Sequence, residues 1–169
     1  RNHSSAASDV YKRQVSNDVS ILVGNGDGTF ATSTLTIGTG GPKALAVADF
    51  DRDGFDDIAV ALGMGRFIIV YYGDGTGNVT QGQDILSAEG SPSALVARDI
   101  NGDGVPDIVI TDEVANSVLA FMTIPGTRFF QRTLHDSFTV SRRPISGAAG
   151  DFDGDGRYDV AVSDTHLTL

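Results

Sequence analysis

Apolar residues along this chain come in short runs, and the breaks between them are rich in Asp and Gly. Small apolar runs (Ala44–Ala48, Ala94–Ala97, Gly147–Gly150) each lead into an acidic break. β-rich runs follow the breaks: Ile58–Leu62, Ile108–Thr111 and Val160–Val162. A further apolar run, Phe67–Tyr72 or Val118–Met122, ends in a turn, and a less regular segment comes next (Val79–Leu86, Phe129–Leu134). No window holds the three-and-four spacing of a helix, whereas short apolar runs bounded by turn residues are strand signals. The chain reads as all-β.

The pattern repeats. Pro42–Leu62, Pro92–Asp112 and Pro144–Asp164 align without a gap, and in each the Pro is followed after six residues by an Asp. That Asp recurs after 50 and then 52 residues, at Asp49, Asp99 and Asp151. Between the acidic breaks lie Asp27-Gly28-Thr29, Asp74-Gly75-Thr76 and the more degenerate Pro125-Gly126-Thr127. Four short strands in about 50 residues is the content of one propeller blade. The expectation is an all-β, β-propeller fragment of about three four-stranded blades. A parallel β-solenoid, the competing repeat architecture, uses shorter coils.

The acidic breaks share the spacing D-x-D/N-x-D-G-x-x-D. They run Asp49, Asp51, Asp53, Gly54, Asp57; then Asp99, Asn101, Asp103, Gly104, Asp107; then Asp151, Asp153, Asp155, Gly156, Asp159. Such a chain curls around a cation: positions one, three and five aim side-chain oxygens inward, and Gly at six permits the sharp turn. Position seven (Phe55, Val105, Arg157) offers a backbone carbonyl, and the Asp at nine closes the shell directly or through water. Many hard oxygen donors suit calcium better than magnesium, and the absence of His and Cys from the loops disfavours zinc and copper. An EF-hand would need Glu at position 12 between helices, but Val60, Ile110 and Val162 stand there in strand-like runs. Three calcium ions are expected, bound most weakly in the middle loop, where Asn101 replaces an acid. Asp-Gly turns without metal are the plainer reading of any single loop. Gly24-Asn25-Gly26-Asp27-Gly28 resembles a phosphate nest, but no P-loop Lys follows and a hairpin turn is favoured.

Composition sharpens this picture. Of 169 residues, 22 are acidic and 12 are Lys or Arg, a formal charge of −10. Twenty of the acids are Asp, and eleven of them stand at positions one, three, five and nine of the loops. Unneutralised charges so close would repel strongly; three divalent ions would bring the net charge to about −4. The acidic balance argues against nucleic acid as a partner, and no apolar run is long enough for membrane insertion by a helix. Without Cys there are no disulfides and no thiolate chemistry.

The termini depart from the pattern. Ser4 to Gln14 resembles, letter for letter, a translated sequencing adapter, and residues 1–14 lack the apolar core of a signal peptide. Residues 1–14 are therefore set aside as non-native or disordered, 164–169 as a suspect tail, and 15–163 as the blades, a piece of a longer chain. The repeats begin near residues 42, 92 and 144, with a partial one before.

The motifs together resemble the FG-GAP/VCBS repeat family, the blades of integrin-α-type β-propellers. Gly26–Thr29, Gly41-Pro42 and Asp49–Asp57 carry the resemblance, which extends over residues 15 to about 163. It implies calcium in the inter-strand loops, a ring completed by further blades of the parent chain, and a secreted or cell-surface location. It also implies adhesion or ligand binding. The expected function is a non-catalytic, calcium-binding module of an extracellular or surface protein, bacterial in origin, with a glycan or protein ligand.

Two other classes stand beside that one: the scaffold of a secreted carbohydrate-active enzyme, and a structural spacer. No catalytic residue is assigned. His135 beside Asp136 and Ser137 matches a triad only in composition, because triad members meet through the fold and not as sequence neighbours. Glu89 and Glu113 are uncommitted acids outside the loops. Tyr71, Tyr72, Phe129 and Phe130 read as inter-blade core before sugar-stacking platforms, and Arg142-Arg143 as a solvated loop end.

Overall fold

In a computed structural model of the chain, residues 17–140 and 143–164 are described, apart from the side chains of 83–87, 133–137 and 164. Among the described residues twelve antiparallel strands form four sheets. The first sheet pairs β1 (Asp18–Gly24) with β2 (Phe30–Thr36). The second is a meander of β3 (Pro42–Ala48), β4 (Asp57–Leu62), β5 (Phe67–Gly73) and β6 (Val79–Ser87). The third repeats it with β7 (Pro92–Arg98), β8 (Asp107–Asp112), β9 (Ser117–Thr123) and β10 (Phe130–Thr139). The fourth pairs β11 (Pro144–Gly150) with β12 (Asp159–Asp164). Two complete propeller-like blades are thus flanked by an outer pair, equivalent to β5–β6, and an inner pair, equivalent to β3–β4.

Each repeat Pro occupies the first position of its strand, where a missing N–H costs the ladder least. One residue later every inner hairpin shifts register, between Pro42 and Ala44, Pro92 and Ala94, and Pro144 and Ser146. A bulge at the same place three times is a feature of the repeat and not a local defect.

The blades pack face to face, as period-two alternation requires of strands buried on both sides. Ala59, Ala61, Ile68, Val70 and Tyr72 of the second sheet meet Leu95, Ala97, Ile108, Ile110, Leu119 and Phe121 of the third in one core. The opposite face of the second sheet (Val60, Leu62, Ile69, Tyr71) packs on Val19, Leu35 and Ile37. Tyr71 and Tyr72, adjacent in sequence, therefore lie buried in two separate cores. Phe130 joins the first of these, edge-on to Phe50 with ring centroids 5.7 Å apart, whereas Phe129 is exposed.

Ion pairs also join the repeats. Lys43 of β3 pairs with Glu113, and Arg132 of β10 with Glu89, whose carbonyl accepts from Arg66 at 3.1 Å. The acids without a role in the sequence pattern are thus structural, and the Lys43 ammonium holds the Glu113 carboxyl below the usual range. The side chain of His135 lies outside the described residues.

Candidate metal centre

The acidic loops connect β3 to β4, β7 to β8 and β11 to β12, and the inner strands β3, β7 and β11 stand side by side. All three loops consequently gather at one end of the blades. Neighbouring loops touch: the Arg52 guanidinium lies where a Cβ on Gly104 would come within 2.8 Å of it, and Arg98 stands 5.9 Å from the ring centroid of Tyr158. Gly104 has φ 85°, a left-handed conformation that favours glycine.

Within each loop the same hydrogen bonds recur. The first Asp ties the turn together through both oxygens. Asp49 accepts from the N–H groups of Asp53 (3.1 Å) and Gly54 (3.0 Å); Asp99 from Gly102, Asp103 and Gly104; Asp151 from Gly154 and Gly156. The third position accepts from the N–H of the fifth: Asp51 from Asp53, Asn101 from Asp103, Asp153 from Asp155. The fifth accepts from the seventh, at 2.9 Å for Asp53 and Phe55, 2.9 Å for Asp103 and Val105, and 2.8 Å for Asp155 and Arg157. These are Asx-type bonds, by which short acidic side chains mimic a backbone turn.

The ninth position does something different. Asp57 is fully buried, its Oδ2 accepting from Phe50 N (2.8 Å) and its Oδ1 from Gly73 N at the end of β5 (2.9 Å). Asp107 repeats this with Ile100 N and Thr123 N, both at 2.9 Å, and Asp159 accepts from Phe152 N at 2.9 Å. This Asp staples loop to blade. Burial pushes the Asp57 carboxyl up to about 6, against its two N–H donors and with help from the nearby Asp51 and Asp53 charges. Burial raises Asp107 as well.

Carboxylate oxygens converge in two loops. Asp49, Asp51 and Asp57 each bring one oxygen within 4.8 Å of the others, and so do Asp151, Asp153 and Asp159. Asp53 and Asp155 stand outside those groups, and among the described residues no such trio forms around Asp99, Asp103 and Asp107. There the Asn101 amide donates to Asp103 Oδ2 at 2.9 Å, so a neutral donor meets a carboxylate that the other loops leave to their own backbone. Both convergent sets consist of carboxylates alone, the donor chemistry of a hard divalent cation.

The Gly-rich turns are closed internally. Asp27 Oδ1 accepts both the N–H (2.9 Å) and the hydroxyl (2.6 Å) of Thr29, and Asp74 treats Thr76 in the same way. The Thr hydroxyls hold both carboxyls below the usual range. The hairpin-turn reading of Gly24–Gly28 matches this geometry.

An all-β chain of propeller-like blades, with acidic loops gathered at one end, defines a β-repeat protein whose loops can hold metal. The FG-GAP-like repeat model matches the chain over residues 7–60 and 49–110, and the chain belongs to that family. The first match begins inside the segment set aside as adapter-like, and the acidic loop at Asp151 lies beyond both. A search among curated proteins finds no match. Repeats of this family are non-catalytic and typical of extracellular or surface proteins. Among the described residues no helix is long and apolar enough to cross a membrane, which says nothing of spanning by strands.

Proposed function

We propose that the chain is a calcium-binding, non-catalytic repeat module of a secreted or cell-surface protein, engaged in adhesion or in binding a glycan or protein. The observation that supports this most is the convergence of Asp49, Asp51 and Asp57, matched one for one by Asp151, Asp153 and Asp159 two repeats later. Chance acidic clusters do not recur at the same repeat positions with the same hydrogen bonds. Calcium would be held by these trios, with the backbone carbonyls of Phe55 and Arg157 as further ligands, and would neutralise part of the −10 charge. The module's own ligand would meet the loop end or the blade faces; further blades of the parent chain would complete the ring.

Calorimetric titration of the full chain with calcium tests this. Two sites at the trios and a weaker third in the middle loop are expected, with each site held at tenfold its Kd raising stability by about 1.4 kcal/mol. Asp151→Ala should remove one of the two trio sites. A folded protein that takes up no calcium would leave the loops as Asp-Gly turns and remove the proposal. In the middle loop, Asn101→Asp replaces the amide that now meets Asp103 with a fourth carboxylate, and should tighten that site about tenfold. Unchanged affinity would show that Asn101 does not set the weak site.

A further inference from the structure

One carboxylate of the first loop already has a cation. Arg128, in the turn between β9 and β10, reaches Asp51 Oδ2 with Nε at 2.7 Å and Nη2 at 2.6 Å. Asp51 belongs to the neighbouring blade, 77 residues earlier, and its side chain is only 8% exposed beneath this contact. The guanidinium is held from a second side: its carbon lies 4.2 Å from the ring centroid of Tyr72, whose hydroxyl donates to the Arg128 carbonyl at 3.1 Å. Tyr72 is itself buried in the inter-blade core. A planar cation stacked on an aromatic ring and forked onto one carboxylate oxygen is an arrangement that Lys cannot reproduce. The repeat-equivalent Asp153 has no ion pair among the described residues, and its trio is the more exposed of the two.

We propose that Arg128 is a tethered cation that competes with the divalent ion for Asp51, setting the affinity of the first loop and tying its occupancy to the packing of the next blade. The inference rests on the calcium reading above. Asp51 Oδ1 is engaged by Asp53 N at 3.1 Å, and Oδ2 is the oxygen the guanidinium occupies. A divalent ion recruiting this carboxylate, through the remaining Oδ1 lone pair or through Oδ2, puts two cations on one side chain, where they repel and the tethered one gives way. The third loop carries no such opposition and should fill first. When the first loop fills, Arg128 leaves Asp51 and the bridge between blades is remade around Tyr72 alone. Occupancy of one loop is thereby felt at the β9–β10 turn of its neighbour.

The test uses the full chain, calcium chloride as probe, and calorimetry. Arg128→Gln should tighten the weaker of the two trio sites about tenfold, the effect of removing one like charge at close range, and leave the other unchanged. Arg128→Lys, which keeps the charge, should recover most of the wild-type weakness. The gain should vanish in Asp49→Asn/Arg128→Gln, which assigns it to the first loop. As a second readout, calcium should speed modification of Arg128 by a dicarbonyl reagent, followed by peptide mass spectrometry. Equal or weaker binding by Arg128→Gln, or labelling that calcium does not change, overturns the proposal while leaving the calcium reading standing. If neither the wild type nor Arg128→Gln binds calcium, both fall together.

Discussion

Replacing Asp107 with Ala should destabilise the metal-free protein by about 4 kcal/mol, because two backbone N–H groups lose this acceptor at once. Ile100 N and Thr123 N both donate to this fully buried carboxylate, one from the loop and one from the end of β9. A buried donor left without a partner costs about 1–3 kcal/mol. Thr123 is pinned further by its hydroxyl, which donates to the Pro106 carbonyl at 2.5 Å, so the strand end cannot easily turn its N–H to water. Urea unfolding in chelator would measure the effect as a lower midpoint at constant slope. Asp103→Ala is the comparison: its exposed side chain gives up the bonds from Val105 N and from the Asn101 amide, whose donor can turn to water, and should cost about 1 kcal/mol. Asp107→Asn keeps one acceptor oxygen and should fall between the two. Equal losses for Asp107→Ala and Asp103→Ala would show that position nine does not staple the loop to its blade.

What the sequence reveals and what it hides divides along the distance between partners. The strands were legible because their signals are local. Ile58–Leu62 falls inside β4, Phe67–Tyr72 inside β5 and Ile108–Thr111 inside β8, each bounded by turn residues. The acidic loops were legible for the same reason: their bonds join residues two to five apart. Position nine could be placed near the loop by spacing, but its second partner is Gly73, 16 residues on and in a different strand. Arg128 could not be foreseen from Asp51 at all. Asp112 was missed for another reason. It is buried at the end of β8 and accepts N–H groups from Gly90, Ser91, Val114 and Ala115, but it lies outside the acidic loop, and its repeat equivalent in β4 is Leu62. The third repeat carries Asp164 at the same position, so an Asp in two repeats of the three was the available signal. The aromatics show the same limit: Phe129 and Phe130 look alike in sequence, and only the pleat decides that Phe130 reaches Phe50 while its neighbour faces solvent.

The stability of the metal-free protein should fall by about 2 kcal/mol as pH rises from about 4.5 to 7, the reverse of the usual behaviour of paired carboxylates. Asp57 is the cause, its carboxyl lifted by burial from an ordinary 3.8 to about 6. An acid that is weaker in the folded state binds its proton more tightly there, so protonation favours folding. That contribution is fully present below the unfolded value and is lost as pH rises through the folded one; a shift of about two units corresponds to about 3 kcal/mol in all, of which about 2 kcal/mol falls above pH 4.5. Asp107 is shifted in the same direction and steepens the slope. Asp27 and Asp74, held low by Thr29 and Thr76, act oppositely but only below about pH 4, outside this window. Urea midpoints in chelator across the range would trace the fall, and Asp57→Asn, which cannot ionise, should flatten it. Calcium should reverse it, since a bound divalent ion holds its carboxylates ionised and turns their charge from a cost into the binding energy itself. A metal-free protein that instead grew more stable toward neutral pH would mean that Asp57 is ionised well below 6. Its two N–H bonds would then outweigh its burial, and the loop would be stable in its charged form without a cation.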